Sequence, residues 1–184
     1  FTGLNPDGTT INKTLTVNVE ELSFSVPAEW GYLCGEGEKE WVWAESKCWG
    51  NGGYLASTEP SWWVLNPDGM EEQAKGEGAN ASMIFSISGA SLTKNKSDGT
   101  SLTGTFSFDL TKTKTTSGGI LWAKGQFKTT GVTILCGVSP DEDKIAVNTF
   151  DILELTSDRL VLAYAPAGTG EWGTAYFWVF IPKK

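Results

Sequence analysis

The stretch "SLTGTFSFDLT", residues 101–111, decides the fold. Leu102, Phe106, Phe108 and Leu110 fall on one side of a period-two alternation, and Gly104 leaves room on that side. Ser101, Thr103, Thr105, Ser107, Asp109 and Thr111 fall on the other. A strand with one packed face and one wet face reads this way. The same period spreads outward through the chain. "RLVLAY" sets Leu160, Leu162 and Tyr164 against Val161 and Ala163. "EWGTAYFWVFI" sets Trp172, Tyr176, Trp178 and Phe180 opposite Phe177, Val179 and Ile181, so both faces of this last strand must be covered. Further strands are expected at 40–45, 61–66, 82–88, 119–128, 131–136 and 147–155. Turn signals lie between them at 97–99, 117–119, 139–143, 156–159 and 167–170.

No apolar spacing of helical period lasts three turns. A short helix is expected near 67–75, with Asp68 as its cap. Short, evenly spaced strands joined by antiparallel hairpins imply an all-β chain, and the bulky last strand favours closure into an up-and-down barrel, which removes the exposed edge.

Composition narrows the function. The 184 residues carry a net charge of −8 and no histidine. An acidic chain whose one arginine is Arg159 is a poor match for nucleic acid or an anionic membrane, which call for basic residues. No apolar run approaches the about 20 residues of a transmembrane helix. Absence of histidine removes Ser-His-Asp and Cys-His catalysis and the commonest metal ligand. Cys34, Cys48 and Cys136 lack the paired spacing of a zinc site, and no cofactor is expected. Cys34 and Cys48 are close enough in sequence for a disulfide, which the sequence leaves open; at least one thiol must be free within a monomer, and Cys136, after the apolar run 132–135, reads as a buried one.

The first 22 residues differ in composition. "FTGLNPDGTTINKTLTVNVEEL" is threonine-rich, with a turn at Asn5-Pro6-Asp7-Gly8 and Leu15, Val17 and Val19 alternating with Thr14, Thr16 and Asn18. It resembles the closing hairpin of a PKD-type immunoglobulin-like domain, or a linker hairpin. Residues 23–37 read as a linker in which Trp30-Gly31-Tyr32 is an anchor. From residue 38 to 184 the chain resembles the lipocalin-like domains of surface and secreted proteins of Bacteroidetes. Four stretches carry that likeness: "KEWVWAES", "WGNGGYL", "FDILELTSDRLVLAY" and "AYFWVFIPK". The resemblance implies a barrel of lipocalin (calycin-like) type, an extracellular or outer-membrane location by secretion or lipid anchoring, neighbouring domains in a larger protein, and no chemistry.

Ligand-binding candidates come from "CWGNGGYLASTEPSWWVL", residues 48–65, and from the 167–172 loop: Trp49, Asn51, Tyr54, Trp62, Trp63 and Trp172. Indole faces stack on sugar rings, and glycines let backbone approach a ligand. Asn51 offers hydrogen bonds. Trp62 and Trp63 are adjacent, so strand geometry sends them to opposite faces. The expected outcome is one ring in the core and its neighbour outside, forming a shallow platform with Trp49. Glu45, Glu59, Glu71, Glu72, Asp109 and Glu154 are the carboxylates open to glycoside hydrolysis, but none lies in a glycosidase motif, so no catalytic residue is assigned. The acids in "SPDEDK", 139–144, lack the order of the known calcium loop and read as a solvated turn. The resulting expectation is a non-catalytic extracellular module for a neutral glycan or other small neutral ligand. Its alternatives are a structural module whose aromatics are all core, and a glycoside hydrolase.

Overall fold

A computed structural model describes residues 2–4, 6, 7, 9–12, 14 and 26–184. Strands β1 (Thr2–Leu4) and β2 (Thr10–Asn12) pair antiparallel as a hairpin of their own, with Thr2 opposite Asn12. The expected alternation at Leu15, Val17 and Val19 lies outside the described residues.

Helix α1 (Ala28–Cys34) leads into β3 (Glu38–Trp43), β4 (Trp49–Gly53) and β5 (Trp63–Leu65). A 3-10 turn, Pro67–Gly69, and α2 (Met70–Gln73) follow. Then come β6 (Ser82–Ser86), β7 (Ser91–Asn95), β8 (Ser101–Asp109), β9 (Lys114–Thr115), β10 (Leu121–Ala123) and β11 (Gly125–Thr130). The chain ends with β12 (Val138–Ser139), β13 (Ile145–Ala146), β14 (Thr149–Leu155), β15 (Leu160–Tyr164) and β16 (Thr174–Pro182).

Eight strands close into an antiparallel up-and-down barrel of lipocalin type. Their order is β3-β6-β7-β8-β11-β14-β15-β16, and β16 returns to β3. One flank of β16 pairs with β15, from Tyr164↔Tyr176 to Leu160↔Phe180. Its other flank pairs first with β4 (Trp178↔Trp49) and then with β3 (Phe180↔Trp43). Strands β3 and β4 are thus halves of one broken first strand, interrupted at 44–48, where Lys47 takes a positive φ of 49°.

The interior is filled by rings. Trp41, Trp49, Trp178, Phe85, Phe127, Phe150 and Phe180 are all fully buried. Trp43 stacks on Phe180 at 4.6 Å between centroids. Both faces of β16 are covered, as the alternation requires. Outside the wall, Trp122 packs edge-on to Phe177, donates its indole N–H to Ser57 O (2.7 Å), and meets Tyr54 at 5.2 Å.

Helix α1, inside the stretch read as a linker, closes one end. Pro27 sets an extended entry, Glu29 faces the helix N-terminus, and Gly35 (φ 62°) ends it with its N–H on Gly31 O. Leu33 and Cys34 are buried, Trp41 Nε1 donates to Leu33 O (2.8 Å), and Trp30 packs on Phe106 and Phe108.

The connection 131–148 lies at the opposite end and corrects the expected strand 131–136. Val132, Ile134, Leu135 and Cys136 are buried without a strand ladder. Side chains satisfy their backbone instead. Cys136 N–H donates to Glu77 Oε2 (2.6 Å), Trp178 Nε1 to Cys136 O (3.0 Å), and Lys94 Nζ to Ile134 O (3.3 Å). Lys94 and Glu77 form a buried ion pair at 2.8 Å, with Lys96 at 3.3 Å from the same carboxylate. A short apolar run looks alike whether it is a buried strand or a plug. Gly104 does leave room: a Cβ there would stand 2.8 Å from Val132 Cγ1 and 2.2 Å from Thr130 O.

Other expected elements shrink. The segment 119–128 breaks at Lys124 into β10 and β11, 61–66 contracts to β5, and Leu102 is exposed beyond the barrel wall. The expected helix 67–75 reduces to the 3-10 turn and α2, and its N-terminus carries no side-chain cap. All three cysteines are free and buried, so Cys34 and Cys48 form no disulfide. Burial pushes their thiols up, Cys34 to about 11 and Cys48 and Cys136 to about 12.

Candidate functional site

The candidate residues gather at the end of the barrel away from α1, where the connections 44–81 and 165–173 emerge. Trp49 sits in β4 between β16 and β5, opposite Trp178 on one side and Leu65 on the other. Its ring stacks on Tyr176 (5.9 Å) and meets Trp63 (5.4 Å) and Trp178 (6.5 Å) edge-on. It is 1% exposed. The expectation that Trp49 helps form a surface platform is therefore corrected: a strand paired on both flanks among aromatics delivers its tryptophan to the core.

Asn51 organises the segment that follows. Its Oδ1 accepts the Trp63 N–H (3.1 Å), and its backbone oxygen accepts those of Ser61 (2.9 Å) and Trp62 (3.1 Å). These bonds hold the tryptophan pair in place, and both rings lie outside: Trp62 is 52% exposed and Trp63 43%. The expected division between core and surface does not occur. Trp62 precedes β5, and among the described residues β5 pairs with β4 alone.

Trp172 stands beside them, 67% exposed. It precedes β16 rather than belonging to it. Its N–H donates to Tyr54 O (2.9 Å), and its φ of 66° is left-handed, which costs a bulky residue about 1–3 kcal/mol. Gly53 joins Trp172 to Trp62. A Cβ on Gly53 would lie 3.0 Å from Trp172 Cε3 and 3.4 Å from Trp62 Cζ2. Both indoles thus rest on the same bare piece of backbone. Tyr54, next in the chain, is half-buried, with its ring against Trp122 and Lys114 Nζ 5.2 Å from the ring centre.

Two exposed apolar residues escaped the sequence reading. Ile120 and Leu121 form the tip of the β9–β10 hairpin, which is tied beside Trp172 by Ser117 N–H to Glu171 Oε2 (3.0 Å). The turn signal "SGG" places a tip there, but nothing local says what the tip adjoins.

The candidate carboxylates have structural partners or lie open. Glu59 pairs with Arg159 (2.8 Å) and Lys47 (3.5 Å), and Glu154 with Arg159 (3.3 Å). Glu71 accepts the N–H groups of Gly76 and Gly78, and Asp109 accepts the N–H and the hydroxyl of Thr111. Glu45 and Glu72 are exposed. In the 139–143 turn, Glu142 accepts the Tyr164 hydroxyl (2.7 Å) and Asp141 lies by the Tyr176 hydroxyl. Burial first, and then these carboxylates, push both phenols up to about 12, while the Tyr164 bond holds Glu142 below the usual carboxylate range. Among the described residues, no group of three or more His, Cys, Asp or Glu side chains could hold a metal ion, and no helix is long and apolar enough to cross a membrane.

No family model matches the chain, and no curated protein matches it.

Proposed function

We propose that the chain is a non-catalytic, lipocalin-like binding module of a secreted or surface-anchored protein, and that it holds a neutral glycan on Trp62, Trp172 and Trp63. The observation that carries this reading is the pair of exposed indoles resting on Gly53. One of them is kept in a strained backbone that a core would not require. Flat indole faces suit the C–H faces of sugar rings, and nearby Glu171 disfavours anionic chains. The filled interior favours a ligand met at the rim rather than inside the barrel.

Affinity electrophoresis against neutral polysaccharides tests this. At least one polymer should retard the wild-type chain, and Trp62→Ala or Trp172→Gly should abolish the retardation. Trp172→Gly also relieves the left-handed strain, so it should fold at least as stably as the parent. Retardation unchanged in both variants, or absent from the wild type, replaces this reading with that of a structural module.

A further inference from the structure

Outside the barrel wall, Gln126 of β11, Asp151 of β14 and Ala163 of β15 stand in register across three strands. The next residue in that row is Phe177. The small Ala163 leaves a hollow of about 150 Å³, roofed by Lys114 and completed by Thr149 and Tyr164. Asp151 is only 5% exposed, and its Oδ2 is held by Lys114 Nζ at 2.7 Å. Among the described residues, no protein group hydrogen-bonds Asp151 Oδ1, the Gln126 carboxamide or the Thr149 hydroxyl. None of these atoms is sealed from the surface either, and all three residues line the hollow.

A buried carboxylate costs folding free energy unless its lone pairs are used. Here one oxygen has a charged partner and the other faces a space. Burial lifts the Asp151 carboxyl above its ordinary range, and Lys114 offsets part of that lift. Asp109, the residue in register beyond Gln126, is already engaged with Thr111. The charges lining the hollow are Asp151 and Lys114, and they cancel. A cation would face the ammonium and an anion the carboxylate, so neither is favoured.

We propose that this hollow is a binding site for one neutral polyol unit, such as a single sugar ring. Adjacent hydroxyls would donate to Asp151 Oδ1 and the Gln126 carbonyl oxygen, and accept from the Gln126 amide, Thr149 and Lys114. A water takes about 30 Å³, so the space suits several waters or one such ring. This site does not depend on the tryptophan platform; the two share no residue.

The test is a titration with D-glucose, D-galactose and myo-inositol, followed through the 1H–15N signals of the Gln126 side chain, Asp151 and Ala163. Sodium acetate and ammonium chloride serve as charged probes. At least one polyol should shift these signals saturably at millimolar concentration, and the charged probes should not. Gln126→Leu and Thr149→Val leave the Asp151–Lys114 pair intact, and each should weaken binding about tenfold, the worth of one good hydrogen bond. No saturable shift with any polyol, a stronger response to a charged probe, or undiminished binding in both variants would overturn the proposal and leave the ion pair as a tie for the β9–β10 hairpin. Shifts confined to the indoles of Trp62 and Trp172 would also overturn it, while favouring the platform.

Discussion

Trp49 and Trp63 lie in neighbouring strands of one short segment, touch each other, and have opposite fates. Trp49 is sealed among Tyr176 and Trp178, whereas Trp63 presents nearly half its surface to solvent. Residue type does not separate them. Strand β4 has partners on both flanks, while β5 is three residues long and has one among the described residues. For this pair the pairing of the strand decides: Trp49 is enclosed by neighbours on both flanks, and Trp63 lies on the open side of an edge. The barrel thus uses tryptophan in two ways within a single stretch.

The largest expected effect separates these two uses by stability. Trp49→Ala empties a fully packed position and should cost about 3–5 kcal/mol, read from urea unfolding midpoints. Trp62→Ala should stay within about 0.5 kcal/mol of the parent, and Trp63→Ala should fall between the two because it gives up the edge contact with Trp49, worth about 0.5–1.5 kcal/mol. If Trp62→Ala and Trp49→Ala cost the same, the contrast between core and edge is lost.

A somewhat smaller effect probes what holds the plug over the buried rings. Lys94→Met leaves Glu77 without its close partner, a change worth about 3–5 kcal/mol for a broken buried pair. Lys96 remains beside the carboxylate, so the loss should fall at the low end. Glu77→Leu combined with Lys94→Met should recover part of it. Equal stability of Lys94→Met and the parent would show that 131–136 is held by apolar packing alone.

The smallest effect concerns the rim between core and platform. Tyr164 and Tyr176 have folded-state values near 12, against about 10 for an unperturbed phenol. A raised value means that the folded state favours the protonated form. The stability they contribute is therefore complete below about pH 10 and is lost as pH rises through about 12. Tyrosinate absorbance should show Tyr164 and Tyr176 ionising late, and Glu142→Gln should bring Tyr164 forward. Ionisation of Tyr164 and Tyr176 near pH 10 would contradict the contacts with Asp141 and Glu142.

Much of the fold was legible because period two records which face is packed. The doubly apolar 174–181 has the coverage it implies, the alternation in 101–111 has it from Phe106 onward but not at Leu102, and Gly104 has the neighbour it makes room for. The plug escaped because Val132 to Cys136 is apolar without alternating, and only tertiary partners distant in sequence, Glu77, Lys94 and Trp178, decide its backbone. Helix α1 escaped because two turns are too short for a period to register. At the candidate site, the tryptophans were visible, but their burial was not. Strand geometry, which would send Trp62 and Trp63 to opposite faces, begins only at Trp63. The hollow at Asp151 was invisible for a related reason: Gln126, Asp151 and Ala163 are neighbours only through register.

The central claim is that the indoles resting on Gly53 are a ligand surface distinct from the indoles of the core. The most direct measurement is a 1H–15N spectrum of the indole N–H groups of all nine tryptophans, recorded while a neutral polysaccharide that retards the chain is added. Shifts are expected at Trp62 and Trp172, with Trp63 following, and unchanged signals from Trp41, Trp43, Trp49 and Trp178. Shifts centred on the buried set, or no shift at Trp62 and Trp172, would contradict it.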